Sequence, residues 1–316
     1  METASHEGKD QLKLPGKVVI VLPTLDEEGG IGFVIDNISA QPRGYHFEVL
    51  VVDGGSRDRT VELATLKGAH VIPQRGNGYG AALQTGFNYA CDKMNADILI
   101  MMDADGTYQA GDIPALLRPI VAGKAELVIG NRLAGLKEGS MTVRNRIGNT
   151  LLSLFGKWAL RVNVSDTQSG FRALLADSWR RLDMKTTGMP FAVEMIAEAH
   201  EANCKMVEVP ISYNARIGVS KLQPTQDAFR ILATMLRLAR DYRPLLFFGG
   251  LGALLIILAA AEGVTVVVEF LVTGTVKRIP SVVLSSTLMV TGFLVLTLGL
   301  IADMVKDVKR FVRKNP

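Results

Sequence analysis

Residues 98–107 read Ile-Leu-Ile-Met-Met-Asp-Ala-Asp-Gly-Thr: five apolar residues run into two carboxylates one residue apart, then a glycine. A continuous apolar run of this length, ended by a turn signal, reads as a strand buried on both faces. Side chains two apart on a strand share a face, so Asp103 and Asp105 converge if the extended geometry persists that far. Hard divalent cations take oxygen ligands, and magnesium commonly uses one or two carboxylates plus substrate phosphates. The stretch therefore admits a divalent-metal site, a phosphoryl-accepting aspartate, or a polar turn without chemistry.

Similar apolar runs lie on either side: KVVIVLP from Lys17, FEVLVVDGG from Phe47, AHVIP from Ala69 and AELVIGNR from Ala125. Helical patterns separate them, such as DRTVELATLKG from Asp58, where Asp58 fits a helix cap, and GYGAALQTGFNYACDKM from Gly78. Alternating helices and near-continuous apolar strands predict a parallel sheet covered on both faces, with ligands outside the carboxyl ends of the strands. The polar residues fall at that edge: Pro23, Asp26 and Glu27 after the first strand, Asp53 after the second, Asp103 and Asp105 after the fourth. The glycines of RGNGYGAALQTG do not have dinucleotide-fingerprint spacing. Gly78 and Gly80 read instead as letting a helix start approach a ligand or neighbouring backbone.

Composition changes after residue 243. Uncharged runs of 17 residues from Leu245 and 22 residues from Ser281 approach the ~20 that a helix needs to cross a bilayer core. Glu262 and Glu269 follow the first run, so VTVVVEFLVTG extends the span or lies at the far interface. Arg237, Arg240 and Arg243 precede the pair, and Lys306, Lys309, Arg310, Arg313 and Lys314 follow it; the connection holds only Lys277 and Arg278. By the positive-inside rule the large domain and both termini are expected to be cytoplasmic, and the juxtamembrane charge suits an anionic lipid surface. The N-terminal stretch lacks the apolar core of a cleaved export signal. The expected organisation is a flexible tail (1–16), a catalytic domain (17–222), an amphipathic connector (223–243), two membrane helices within 244–303 (about 245–268 and 281–303) and a basic tail (304–316). A net charge of +4 is too mild to predict nucleic acid. Cys91 and Cys204 have no metal-ligand spacing and make no disulfide framework. The four histidines are scattered, which argues against zinc.

Two basic segments suit an anionic substrate. In MTVRNRIGNTLLSLFGKWALRV, Arg144 and Arg146 open a stretch with apolar residues at helical spacing, which reads either as a core-facing helix or as an interfacial one with its arginines at headgroup height. In YNARIGVSK, Arg216, Ser220 and Lys221 sit on a glycine-containing loop after a strand, suited to opposing the charge of a departing diphosphate. Arg132 and Arg172 are further candidates, because the guanidinium fork matches phosphate; Arg172 is equally suited to bracing Asp166.

In chain order, LPTLDEE, VVDGGSRDRT, MDADGTY, GNR, RNRIGN, DTQSGFRAL and YNARIGVSK resemble the family 2 glycosyltransferases, specifically the dolichyl-phosphate mannose or glucose synthase group. The resemblance runs from about Lys17 to Leu222. It implies an α/β fold of GT-A type: a Rossmann-like, mostly parallel sheet with helices on both faces, followed here by a C-terminal two-helix transmembrane hairpin. It also implies inverting transfer of a hexose from a GDP- or UDP-sugar to a polyprenyl or dolichyl phosphate with Mg2+ or Mn2+, at a lipid bilayer, with a homo-oligomer possible. Position by position, Pro23, Asp26 and Glu27 match the nucleotide-lining segment, Asp53 the acid that contacts base or ribose, and Asp103 and Asp105 the metal pair. Arg144, Arg146, Arg216 and Lys221 would act on the two phosphates. Asp166, Gln168 and Glu194 are expected to orient the sugar. The chain departs from the pattern twice: Gly54 stands where a second Asp is usual, and Thr107 where relatives offer Gln as a third ligand.

Asp-x-Asp-Gly-Thr is also the nucleophile signature of haloacid-dehalogenase-type phosphatases. There it follows the first strand and precedes a further acidic pair, whereas here four strands come first and no such pair follows. Two other readings stand beside lipid-phosphate transfer: transfer to a glycan or diphospholipid, and a non-catalytic nucleotide-binding membrane scaffold.

Overall fold

The computed structural model describes residues 16–41, 47–134, 156–157, 162–217, 232–233 and 236–314. The chain divides into two compact units, Met1–Leu232 and Ala233–Pro316.

The first unit is a seven-stranded sheet in the order β3-β2-β1-β4-β6-β5-β7. Its strands are β1 (Val18–Thr24), β2 (Phe47–Asp53), β3 (His70–Pro73), β4 (Ile98–Met101), β5 (Leu127–Asn131), β6 (Arg172–Leu175) and β7 (Met206–Pro210). Strands β3, β2, β1 and β4 are parallel neighbours, and β5 is parallel to β7. Strand β6 is antiparallel to both β4 and β5, so the sheet is mixed, with one reversed strand. The register sets Thr24 beside Asp53 and Val21 beside Met101. The ends of β1, β2 and β4, with the polar residues that follow them, therefore share one edge.

Helices cover both faces. Val18, Ile20 and Leu22 point to one side, where they share a core with α1 (Glu28–Ser39) and α4 (Ile113–Val121). Those helices bury Ile31, Val34, Ile35, Ile38 and Ile113, Leu116, Leu117, Ile120, each the i, i+3, i+4, i+7 stripe of an amphipathic helix. On the opposite side α3 (Tyr79–Asp92) lies so close that a Cβ on Gly86 would stand 2.4 Å from Val21 Cγ1. Behind it, Trp179 of α5 (Ala176–Arg181) meets Phe87 edge-on and packs against Phe191 of α6 (Phe191–Glu201). The short α2 (Thr60–Leu66) starts where Asp58 Oδ1 accepts from the Thr60 N–H at 3.0 Å; Oδ2 of the same carboxylate accepts from Glu28 N at 3.1 Å, fastening the start of α1 as well.

The second unit contains α7 (Pro244–Thr273) and α8 (Ile279–Lys314). Both are long and apolar enough to cross a membrane. The helices themselves extend beyond residues 268 and 303, and VTVVVEFLVTG continues α7 to its end. Gly274 in the left-handed region (φ 69°) ends α7. The two helices form an antiparallel hairpin, packed so tightly that a Cβ on Gly252 would lie 2.7 Å from the Gly292 carbonyl oxygen. Small residues of this kind let helix backbones approach where apolar burial supplies no drive. Glu269 near the turn pairs with Arg278 at 3.1 Å.

Candidate active site

The loops after β1 and β2 latch onto each other. Asp26, in the left-handed region at φ 46°, donates its N–H to Ser56 Oγ at 2.8 Å and accepts from Arg57 N at 2.6 Å. Asp53 accepts from the backbone of Gly55 and Ser56 and from Ser56 Oγ at 2.5 Å, so its carboxylate is oriented by its own turn. At the missing second acid, a Cβ on Gly54 would stand 3.0 Å from Gln74 Oε1; the glutamine amide fills the neighbourhood of the absent side chain.

Strand β4 ends at Met101, before the two aspartates, and Gly106 turns the chain at φ 75°. The aspartates therefore come together through a turn rather than through strand alternation. Asp103 accepts from Tyr79 Oη at 2.9 Å. Burial first, then the neighbouring charge of Asp105, push its carboxyl up to about 7. Asp105 is buried; its Oδ1 accepts from the Thr107 hydroxyl at 2.6 Å and the Thr107 N–H at 3.0 Å, and its Oδ2 faces Arg216 Nη1 at 3.3 Å. Thr107, standing where a third ligand was in question, thus orients the second carboxylate. Arg216 also donates to Glu27 Oε1, and its Nε is buried without a hydrogen-bond partner among the described residues. Backbone bonds fix this arginine's segment along the turn: Ile217 N donates to Asp105 O at 2.8 Å and Asn214 N to Thr107 O at 2.9 Å.

The structure thus brings Glu27, Asp103, Asp105 and Arg216 together, with Asp26 and Asp53 on the adjoining loops and Pro23 at the end of β1. Arg144, Arg146, Ser220 and Lys221 lie outside the described residues. Among the described residues no group of three or more His, Cys, Asp or Glu is spaced to hold a metal. The donor set is two neighbouring carboxylates: Asp105, buried and facing Arg216, and Asp103, raised by burial first and by Asp105 second. That set fits a hard divalent cation whose remaining ligands come from substrate and water.

Other expected site residues have different work. Arg132 grips Asp166 with two parallel bonds, Nε to Oδ2 and Nη2 to Oδ1, both 2.8 Å, and its guanidinium lies 5.4 Å from the Tyr213 ring centroid. Against a burial penalty that favours the neutral acid, this arginine holds the Asp166 carboxyl below its ordinary value. Asp166 is fully buried and also accepts from Arg132 N at 3.0 Å, which ties the two segments together. Arg172 is fully buried too, with Nε, Nη1 and Nη2 donating to the carbonyls of Ser169, Ala192 and Thr167. Among the described residues it makes no hydrogen bond to Asp166, and burial lowers its pKa to about 10. Glu194 accepts from Lys185 N and Thr186 N, fastening the loop before α6. Among the described residues, Gln168 bonds its neighbours Asp166 and Thr167. Tyr79 carried no chemical signal of its own in the sequence; Tyr108, the last residue of MDADGTY, accepts from Gly170 N at 2.8 Å through its hydroxyl.

Residues 19–179, half of the chain, match the family model described as Glycosyl transferase family 2. A glycosyltransferase of Haloferax volcanii, AglJ, is 32% identical over 94% of this chain and 96% of its own. The chain belongs to glycosyl transferase family 2. A low-salt glycan biosynthesis hexosyltransferase from the same organism is 37% identical over 75% of this chain, which spans only 59% of that relative's length. An undecaprenyl-phosphate mannosyltransferase of Micrococcus luteus is 31% identical over 65% of this chain and 87% of its own. Among solved structures, glucosyl-3-phosphoglycerate synthase of Mycobacterium tuberculosis, in complex with Mn2+, UDP and product, shares the fold with a TM-score of 0.58. It is 23% identical, over 75% of this chain and 86% of that one.

Proposed function

We propose that this chain transfers a hexose, with inversion, from a GDP- or UDP-sugar to the phosphate of a polyprenyl or dolichyl lipid at the cytoplasmic face of a membrane. The observation that carries the reading is the Asp103–Asp105 pair at the ligand edge of the sheet, with Arg216 beside it. Relatives named for undecaprenyl-phosphate mannosyl transfer and dolichyl-phosphate hexose transfer support the acceptor class. The two long apolar helices support an anchor at the lipid. Asp103 and Asp105 would hold Mg2+ or Mn2+, which when bound neutralises the donor diphosphate.

The acceptor explains what the site lacks. A phosphate monoester has a second pKa near 6, so its oxygen is largely ionised at neutral pH and needs no strong general base. The protein's part is alignment, relief of repulsion between two anions, and stabilisation of the departing diphosphate. Arg216 and Lys221 serve the diphosphate, and Ser220 belongs to the same loop. Arg144 and Arg146 receive the lipid phosphate. Glu27, Asp26, Asp53 and Pro23 border the nucleotide.

The test offers GDP-mannose, UDP-glucose and UDP-N-acetylglucosamine to the purified chain with a short polyprenyl phosphate and Mg2+ or Mn2+. A sugar-labelled lipid phosphate is the expected product. Transfer to saccharides alone would replace the acceptor assignment, and no transfer from any donor would remove the activity. Asp105→Asn is expected to abolish metal-dependent transfer while leaving the melting temperature near wild type; surviving activity would refute the metal assignment.

A further inference from the structure

The segment Arg75-Gly76-Asn77-Gly78-Tyr79-Gly80 opens α3, and nothing in the proposed reaction uses it. Its two last glycines seat the helix start on the loop at 186–187. A Cβ on Gly78 would lie 2.5 Å from the Thr187 carbonyl oxygen, and one on Gly80 2.6 Å from that of Thr186. Gly78 also holds φ at +99°, a conformation open to glycine and strained for other residues. Ala81 N donates to Thr187 O at 3.0 Å and Gln84 Nε2 to Thr186 O at 2.9 Å. From the other side, the Glu194 carboxylate takes the N–H groups of Lys185 and Thr186. Tyr79 is caught between these two glycine contacts, and its hydroxyl donates to Asp103 Oδ1 at 2.9 Å. Gly170 closes the remaining side: a Cβ there would stand 2.9 Å from Asp103 Oδ2 and 3.0 Å from Tyr79 Oη.

We propose that Tyr79 is a positioning residue for the cation site, its hydroxyl holding the Asp103 carboxylate in one orientation while Gly78, Gly80, the 186–187 loop and Glu194 hold Tyr79. This inference rests on the metal-dependent reading above. The choice of side chain has a reason. A phenol is a neutral donor, so it fixes the carboxylate without cancelling the negative charge that attracts a cation; an ammonium in its place would compete. Partners that orient a metal ligand commonly change metal affinity or activity 10- to 100-fold when removed.

The experiment titrates the full-length detergent-solubilised chain with Mn2+ in the absence of nucleotide and reads free Mn2+ by electron paramagnetic resonance. Wild type is expected to bind and Asp103→Asn is not. Tyr79→Phe is expected to bind on the order of 10-fold more weakly, with an unchanged metal-free melting temperature. In turnover, the Mn2+ concentration for half-maximal rate should rise by a similar factor, and saturating Mn2+ should restore the maximal rate. Tyr79→Phe binding Mn2+ as tightly as wild type overturns the proposal. Should Tyr79→Phe melt early, Asn88→Ala is the control, since it removes the α3 bond to Trp179 Nε1 without touching the phenol. Equal loss of Mn2+ affinity in that control also overturns the proposal. A wild-type chain that binds no Mn2+, with or without nucleotide, would instead overturn the metal reading on which this one depends.

Discussion

Asp105 owes its orientation to Thr107, whose hydroxyl and N–H both reach the same carboxylate oxygen. Thr107→Val keeps the shape and removes the hydroxyl. It is expected to weaken Mn2+ activation on the order of 10-fold, while Thr107→Ser stays near wild type; comparing the two activation curves checks this. The Arg132–Asp166 pair makes a different kind of prediction. Removing one partner of a buried pair costs about 3–5 kcal/mol, so Asp166→Asn should lower the denaturation midpoint clearly. Because the folded-state Asp166 carboxyl titrates below its unfolded value of about 3.9, its stabilisation is complete above that value. It is lost as pH falls through the lower, folded value. Wild type should therefore keep this increment down to about pH 4 and lose it only on further acidification, so that denaturation curves taken at still lower pH approach those of Asp166→Asn. Arg172 marks the limit of reading residues from sequence. Its charge is visible there, but two carbonyls of its own loop and that of Ala192 in α6, which only the fold brings near, absorb its donors.

At the scale of elements, β1 to β5 were legible because each is a continuous apolar run, the mark of a strand covered on both faces. Strand β6 was not: it has four residues, begins with a buried arginine, and lies in a segment that read as a polar motif. The gathering of acids at one sheet edge was also legible, since register follows from parallel strands of similar start. Tyr79 was hidden, because a tyrosine between glycines has no chemical signature until its helix is docked. The α3–sheet contact gives a direct test. Gly86→Val would drive side-chain atoms into Val21 and Val52; overpacking of this kind costs about 1–3 kcal/mol. A lowered melting temperature is expected, and an unchanged one would contradict the close approach.

For the whole molecule, the two long apolar helices of the C-terminal unit make membrane anchoring the expectation. Helix α7 has 30 residues, about 45 Å at the α-helical rise, against a hydrocarbon core of about 30 Å. The intact chain is expected to float with lipid vesicles through a density gradient and to resist carbonate extraction. Release by carbonate would refute a spanning hairpin. Gly252→Leu should loosen the hairpin, measured as faster proteolysis of the 274–278 turn in vesicles.

The bridge from Arg216 to Glu27 and Asp105 has a thermodynamic consequence. With no substrate bound, an internal cation already answers part of the charge on Asp105, so an incoming metal must displace it. A nucleotide diphosphate offers that arginine another anionic partner and so lowers the cost of its departure. On the proposed reading, metal and nucleotide are therefore expected to bind with positive cooperativity, and linkage makes the effect reciprocal: each tightens the other by the same factor. Replacing Arg216 by alanine should raise the affinity for Mn2+ alone and shrink that factor toward one.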